Sequence, residues 1–220
     1  KPKSLLFSTG YHANIGIMQA ITSVKSKKIS IFSEKNNHAS IIDGIKLVKK
    51  NGLINLQIYK NSNLEELKDK LKKDTSDLKM IVTDGVFSMD ESIAPLPQLL
   101  KISKKYNSFL IIDDAHGFGV LGENGLGIMD YFDVKKMDTT NLIYIATLGK
   151  SCGVSGAFVL GQETLVNFMI QKSRTYIYTT AIPPFICYAL IKILEDSIFL
   201  KQKAKLQNLI TYFDAQLNTS

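Results

Sequence analysis

Short apolar runs alternate with longer segments of mixed polarity along most of this chain. Seven of these runs are rich in β-branched and aliphatic residues, as β-strands are. They span residues 5–8, 28–33, 56–60, 80–85, 109–114, 142–147 and 156–161. Most of them lack strict alternation of apolar and polar positions, which predicts strands buried on both faces. The pattern therefore predicts an α/β fold with a mainly parallel sheet covered by helices on both faces.

The clearest helix between these strands spans residues 39–52. Asn36 and Asn37 precede it as capping candidates, and Gly52 is a stop signal at its end. Helical spacing places four apolar side chains on one face, namely Ile41, Ile42, Ile45 and Val48. This segment is predicted to pack that face against the sheet.

The pattern changes after Pro183 and Pro184, where one long helical stretch follows. A helix of that length needs a surface to pack against, and the sequence stops before supplying one. We therefore predict that the chain is a fragment, with one domain over residues 1–182 and a long helix over residues 183–220.

Charge and cysteine content exclude several classes of protein. The formal net charge is +7, but lysines and acids are interleaved, as in residues 63–77, which is typical of a solvated helix face and not of a nucleic-acid site. No apolar run reaches the roughly 18 residues that a membrane span needs. Cys152 and Cys187 lie far apart, outside any CxxC pattern, which fits a reducing cytoplasm and predicts no metal site.

Polar segments follow four of the predicted strands, at the edge where open α/β sheets bind ligands. These segments span residues 8–14, 83–90, 113–119 and 146–153. Two nucleotide-binding patterns are excluded among them. Residues 117–122 fit the dinucleotide-binding pattern GxGxxG, but no helix signal follows them. Residues 149–151 match the last three positions of a P-loop, but the first glycine of that motif would fall at Tyr144, inside a predicted strand.

A lysine among small residues, Lys150, and a carboxylate on a neighbouring strand end, Asp113, indicate a different cofactor. A lysine that forms a Schiff base with pyridoxal phosphate (PLP) needs a carboxylate that keeps the ring nitrogen protonated. The phosphate needs hydroxyls and free backbone N–H groups. These can come from Gly10, Tyr11, Ser88 and Thr147. In isolation Lys150 could equally be a surface lysine, but together these residues predict a PLP site.

Four motifs in sequence order resemble the α-oxoamine synthases, a branch of the fold-type I PLP-dependent transferases. They are "NNHASIIDG", "TDGVFSMD", "IIDDAHGFGVLGENGLG" and "TLGKSCGVSGAFVLG". The resemblance implies that residues 1–182 are the large domain of that fold, truncated at its N-terminal side. It implies that residues 183–220 are a connecting helix toward a C-terminal small domain that this chain lacks. It also implies an acyltransferase and a homodimer with a shared active site. Two positions depart from the family pattern, since Leu126 stands in place of an arginine and Glu91 in place of a glycine.

The resemblance also implies a role for each site residue. Lys150 would carry the cofactor and remove the substrate α-proton, Asp113 would pair with the ring nitrogen, and His116 would hydrogen-bond the phenolic oxygen. His38 would stack on the ring and help place the substrate. Thr180 would reach the phosphate in a neighbouring subunit. The remaining cofactor contacts would come from Gly10, Tyr11, Ser88 and Thr147.

Other residues near these motifs are predicted to have structural roles. Asp114 and His12 are interpreted as structural, and the glycines that follow Asp113 are expected to give the ring and substrate room. Arg174 is the only arginine in the chain. In the family, the arginine that binds the substrate carboxylate belongs to the C-terminal domain, so we expect it to lie outside this chain.

Two segments narrow the resemblance to one substrate pair. "GVSGAFVLG" and "RTYIYTTAIPP" most resemble the members that condense L-alanine with a pimeloyl thioester in biotin biosynthesis, with coenzyme A or a carrier protein as the thiol. Glycine-using relatives share "TDGVFSMD", so a glycine C-acetyltransferase stays open as an alternative. A catalytically silent partner subunit also stays open, although the presence of Lys150 argues against it.

Overall fold

The computed structural model describes residues 1–24, 27–49, 54–60, 62–90, 92–196 and 198–217. Its strands are β1 (Pro2–Phe7), β2 (Ile29–Glu34), β3 (Ile54–Tyr59), β4 (Leu78–Asp84), β5 (Phe109–Asp113), β6 (Leu142–Thr147) and β7 (Ala157–Gln162). Its helices are α1 (Gly10–Thr22), α2 (Ala39–Lys49), α3 (Leu64–Lys73), α4 (Leu96–Lys105), α5 (Ile128–Tyr131), α6 (Glu163–Lys172), α7 (Arg174–Ile177), α8 (Pro184–Glu195) and α9 (Ile198–Leu217). Each predicted strand overlaps one of the observed strands.

The strands form one seven-stranded sheet in the order β1-β7-β6-β5-β4-β2-β3. β2 pairs in parallel with β3 and β4, and the parallel pairing continues from β4 through β5 to β6. β7 runs antiparallel to both of its neighbours, β1 and β6. The predicted α/β fold with a mainly parallel sheet is therefore confirmed, with β7 as the antiparallel strand.

Helices cover both faces of the sheet. Successive strand residues point to opposite sides, so each strand contributes apolar side chains to a core on each face. In β5, Ile111 belongs to the apolar core that α1, α2 and α6 complete on one face. Leu110 and Ile112 belong to the core on the other face, which α3 and α4 complete through Leu67 and Leu99. Burial on both sides is the reason that these strands carry apolar runs without alternation.

The prediction of one continuous helix after Pro184 is wrong. The chain forms α8 and α9, and Asp196 between them has an extended backbone with ψ 141°. Within the described parts of α8 and α9 no residue is buried. Large apolar side chains are exposed there, including Tyr188, Leu209 and Phe213. The division of the chain at residue 182 stays a prediction.

The start of α2 differs from the predicted cap, and the difference matters for the site. Asn37 does not cap the helix, because its side-chain oxygen accepts the Asp84 backbone N–H at 2.9 Å. Its amide nitrogen donates to Ser33 Oγ at 3.0 Å and to the Val82 carbonyl at 2.9 Å. The Nδ1 atom of His38 instead accepts the Ser40 backbone N–H at 3.2 Å. Asn37 thus ties the end of β2 to β4 and fixes the position of His38. Gly52, the predicted stop, lies outside the described residues.

Candidate active site

A cavity of about 420 Å³ opens at the edge of the sheet where the parallel strands end. It brings together seven of the predicted site residues, namely Gly10, Tyr11, His38, Asp113, His116, Thr147 and Lys150. Ser88 and Thr180 are exposed and are not among the residues that line it, and neither is Arg174. The proposed contact of Thr180 with a neighbouring subunit stays a prediction. Glu91 lies outside the described residues.

The carboxylate of Asp113 lies at the buried end of this cavity and is held on both oxygens. Asn14, which is fully buried, donates from Nδ2 to Asp113 Oδ2 at 2.6 Å. The backbone N–H of Ala115 donates to the other oxygen at 3.1 Å. Burial raises the pKa of Asp113, while these two hydrogen bonds act in the opposite direction. Asn14 was not among the predicted site residues, because its contact with Asp113 joins positions 99 residues apart along the chain.

The imidazole of His38 is oriented by a short chain of hydrogen bonds that starts at Asn14. The Nδ2 atom of Asn14 also donates to Ser40 Oγ at 2.9 Å, and this hydroxyl lies 2.8 Å from His38 Nδ1. Because the hydroxyl accepts from Asn14, its own proton is available to His38. Nδ1 therefore acts as an acceptor, and in the neutral ring the proton is on Nε2. Asn14 thus links the two groups predicted to contact the PLP ring, Asp113 and His38.

The amine of Lys150 lies in the cavity beside an imidazole. Its Nζ atom is 2.8 Å from His116 Nε2. Partial burial lowers the pKa of Lys150, and the nearby Asp113 and Asp84 carboxylates act in the opposite direction. The pKa of His116 is lowered by burial and then by the charge of Lys150. A lowered pKa makes the amine available as a base or nucleophile closer to neutral pH.

Asp84 is a second buried carboxylate, and it was not among the predicted site residues. It ends β4 and pairs in register with Asp113 of β5, and it lines the cavity. Its Oδ2 atom accepts the His38 backbone N–H at 3.0 Å. Burial and then the charge of Asp113 raise the pKa of Asp84 to about 8. Its position at a strand end was visible in the sequence, but its pairing with Asp113 depends on the sheet register.

Asp114 is buried behind the site, as its predicted structural role requires. Its Oδ2 accepts the Ile128 N–H and the Tyr144 hydroxyl, each at 2.7 Å, so it anchors the returning loop. A Cβ atom on Gly117 or Gly127 would overlap this carboxylate. Neither of these glycines is among the residues that line the cavity. The expectation that the glycines make room for the cofactor is therefore wrong for these two, which make room for Asp114.

The N-terminus of α1 faces the cavity. Thr9 caps the helix by accepting the His12 N–H at 3.1 Å, and the His12 ring nitrogen Nδ1 lies 2.6 Å from Ser8 Oγ. The first N–H groups of a helix, here those of Gly10 and Tyr11, have no acceptor within the helix and favour anions. A Cβ atom on Gly10 would lie 2.5 Å from the Thr147 methyl carbon, so glycine keeps this approach open.

The residues present fit PLP. The buried Asp113 carboxylate, whose pKa burial raises, would be stabilised by a cationic ring nitrogen beside it. The helix N-terminus supplies donors for a phosphate, and Lys150 supplies an amine in the same cavity. The volume of about 420 Å³ lies within the usual range for small-molecule sites. Among the described residues no group of three or more His, Cys, Asp and Glu side chains is arranged to hold a metal ion.

The family model for aminotransferase class I and II matches residues 1–220. The chain belongs to this family, whose members are PLP-dependent enzymes of fold type I. The membership confirms the predicted fold class and the predicted cofactor. In the part of the chain that the structure describes, no helix is long and apolar enough to cross a membrane.

Relatives with known names define the branch of the family. The 8-amino-7-oxononanoate synthase of Janthinobacterium sp. (strain Marseille) is 43% identical over 218 residues, which cover 98% of this chain and 53% of that protein. The structure of 8-amino-7-oxononanoate synthase from Francisella tularensis has a TM-score of 0.77 at 39% identity, covering 98% of this chain and 60% of that one. The resemblance indicated by the sequence motifs is therefore confirmed.

A second branch has the same fold. Serine palmitoyltransferase from S. paucimobilis, with a bound PLP-myriocin aldimine, has a TM-score of 0.79 at 26% identity, covering 94% of this chain and 51% of that one. This chain spans about half the length of the curated relatives it matches.

Proposed function

We propose that this chain is the PLP-binding part of an 8-amino-7-oxononanoate synthase, which acts in biotin biosynthesis in the cytoplasm. The reaction condenses L-alanine with a pimeloyl thioester of coenzyme A or a carrier protein and releases carbon dioxide and the free thiol. The observation that carries the proposal is the placement of Lys150, His116 and Asp113 in one cavity. The 43% identity to a synthase of that name supports the choice of substrates.

PLP, when bound, supplies an electron sink that stabilises negative charge at the α-carbon of the amino acid. Asp113 would keep a proton on the ring nitrogen, and Asn14 would hold that carboxylate in position. His38, oriented through Ser40, would lie against the ring and direct Nε2–H toward the substrate. These residues prepare the site before any substrate enters it.

Lys150 would carry the cofactor and then remove the α-proton of L-alanine. Its lowered pKa favours the neutral amine that a base must be. The contact with His116 at 2.8 Å holds the amine inside the cavity. The same imidazole would hydrogen-bond the phenolic oxygen of the ring, the role that the family resemblance implies for it.

The phosphate of the cofactor would bind at the N-terminus of α1, through the N–H groups of Gly10 and Tyr11 and the hydroxyl of Thr147. We further propose a homodimer in which Thr180 of one subunit reaches the phosphate of the other. Ser88 would join the cofactor contacts only after a local rearrangement, because it is exposed and does not line the cavity.

Turnover assays on the full-length protein test the proposal. L-alanine with pimeloyl thioester is compared with glycine and acetyl thioester, and product is measured by mass spectrometry. We expect 8-amino-7-oxononanoate from the first pair at a much higher rate. Preference for glycine and acetyl thioester would identify a glycine C-acetyltransferase instead, and absence of product from both pairs would identify a silent subunit.

A further inference from the structure

A second cavity adjoins the first and has a volume of about 440 Å³. The two cavities share Ala115, His116 and Lys150 as lining residues. A ligand that reacts beside Lys150 can therefore extend into the second cavity. The residue roles proposed above assign no part of a ligand to this second cavity.

The walls of the second cavity are mostly apolar. The loop after β5 contributes Phe118 and Val120, and α9 contributes Ile198, Phe199 and Leu206. The rings of Phe118 and Phe199 lie 6.5 Å apart between centroids, which brings the first turn of α9 against that loop. Such walls favour a hydrocarbon chain, because its burial removes apolar surface from water.

On the α9 side, the mostly apolar lining includes one cationic side chain, that of Lys203. Lys203 follows Phe199 by four residues, so both side chains lie on the same face of the helix. Lys203 is half-buried, whereas Lys201 and Lys205 of the same helix are exposed and do not line the cavity. The described residues that line the cavity include no Asp or Glu. A ligand that fits here is apolar along its length and anionic at its far end.

We propose that the second cavity binds the acyl chain of the thioester substrate and that Lys203 binds the carboxylate at the end of that chain. The substrate class is a monothioester of a medium-length dicarboxylic acid. This inference rests on the proposed function and extends it, because it assigns the selection of the acyl group to α9. An acetyl group would leave the cavity unfilled and Lys203 without a counter-ion, so the site selects against short uncharged acyl groups.

The test uses the full-length enzyme, with pimeloyl and heptanoyl thioesters of the same thiol. The two acyl chains have equal length, and only pimeloyl has the terminal carboxylate. The variants are Lys203→Gln, Lys203→Arg as the variant that keeps the cation, and Lys201→Gln as the control that removes an exposed charge from the same helix. The absorbance change of the bound cofactor on adding L-alanine checks the reaction site in each protein.

We expect Lys203→Gln to raise KM for the pimeloyl thioester about tenfold, the lower end of the range for a hydrogen bond to a charged group. KM for the heptanoyl thioester and the absorbance response to alanine should not change. Lys203→Arg should stay near wild type, and Lys201→Gln should match wild type with both substrates.

Equal effects of Lys203→Gln on both thioesters, or the same kinetics for Lys203→Gln and Lys201→Gln, would overturn the inference while leaving the proposed function intact. A wild-type enzyme that uses heptanoyl thioester as well as pimeloyl thioester would also overturn it. If the wild type acts on glycine and acetyl thioester and not on alanine and pimeloyl thioester, the proposed function and the inference both fall.

Discussion

At the scale of single residues, the site depends on the buried amide of Asn14, to which the proposed reaction assigns no contact with substrate or cofactor. Both N–H groups of Asn14 are used, one by Asp113 and one by Ser40. Its Oδ1 atom has no hydrogen-bond partner among the described residues. An unsatisfied buried oxygen costs free energy, so the orientation of this amide is set by what its donors bind. Asn14 therefore serves to position Asp113 and His38.

Asn14→Ala should weaken PLP binding by about tenfold or more, because a hydrogen bond to a charged group contributes roughly 1.5–3 kcal/mol. The loss would also raise the pKa of Asp113 further, since the Asn14 hydrogen bond lowers it. Spectroscopic titration of the full-length apoenzyme with PLP measures the affinity. Asn14→Asp should bind PLP still more weakly, because it places a second carboxylate beside Asp113. Wild-type affinity in Asn14→Ala would show that Asp113 needs no such support.

Lys150 should be the residue that carries the cofactor. Borohydride reduction of the full-length holoenzyme, followed by peptide mapping, should place the pyridoxyl group on the peptide that contains Lys150. The reason is that Lys150 lines the same cavity as Asp113 and has a pKa lowered by burial. Lys203, which lines the neighbouring cavity, should remain unlabelled, and a label there would remove Lys150 from the proposed role.

At the scale of elements, the loop after β5 is shaped around Asp114. The carboxylate lies between this loop and β6, bound to Ile128 and Tyr144. The loop approaches it closely at Gly117 and Gly127, where an added Cβ would overlap the carboxylate. The glycine-rich segment thus fixes the path from the end of β5 to α5, and it keeps Asp113 and His116 at the cavity.

Gly127→Ala should destabilise the full-length protein strongly. Gly127 has φ +80°, and the added Cβ would overlap the Asp114 carboxylate. Gly153 is a matched control with φ +64° and no atom within 4 Å of an added Cβ. Gly153→Ala should lower the free energy of unfolding by only roughly 1–2 kcal/mol, the cost of a left-handed backbone for alanine. Gly127→Ala should lower it by at least about 2 kcal/mol more, because of the added overlap. Thermal unfolding measures both, and equal shifts in Tm would contradict this account of the loop.

At the scale of the whole molecule, two adjacent parallel strands place buried carboxylates side by side. Asp84 and Asp113 are partners in the β4–β5 register, and burial raises the pKa of both. A carboxyl group whose pKa is higher in the folded state binds protons more tightly there than in the unfolded chain. Its contribution to stability is therefore present at low pH and is lost as the pH rises toward the folded-state pKa.

The stability of the full-length apoenzyme should accordingly fall as the pH rises from about 6 to 8, because the Asp84 carboxyl has an ordinary pKa of 3.8 in the unfolded chain and a pKa of about 8 in the folded one. Asp84→Asn keeps an oxygen that can accept the His38 N–H and removes the ionisation. This substitution should reduce the pH-dependent loss in the free energy of unfolding by up to about 2–3 kcal/mol, which corresponds to two pKa units. Thermal melts across this range make the measurement, with the exposed Asp69→Asn as the control. Parallel profiles for wild type and Asp84→Asn would show that Asp84 does not titrate there.

The parts of the fold and site that the sequence predicted are those that depend on neighbours along the chain. Apolar runs gave the seven strands, because burial on both faces leaves a mark in consecutive residues. Lys150, His116 and Asp113 were visible because strand ends in a parallel sheet share one edge. The helix predicted over residues 183–220 is not continuous, and the sequence did not show this because no glycine or proline marks the break at Asp196.

Only the tertiary structure decided which distant residues meet. The contact of Asn14 with Asp113 joins residues 99 positions apart, and the pairing of Asp84 with Asp113 follows from strand register. Such contacts cannot be predicted from local sequence, because a hydrogen bond depends on distance in space. The sequence around a buried amide or carboxylate does not show which distant group it will bind. The sequence by itself therefore determined the fold class and the candidate site residues. The folded chain determined how those groups are held, charged and oriented.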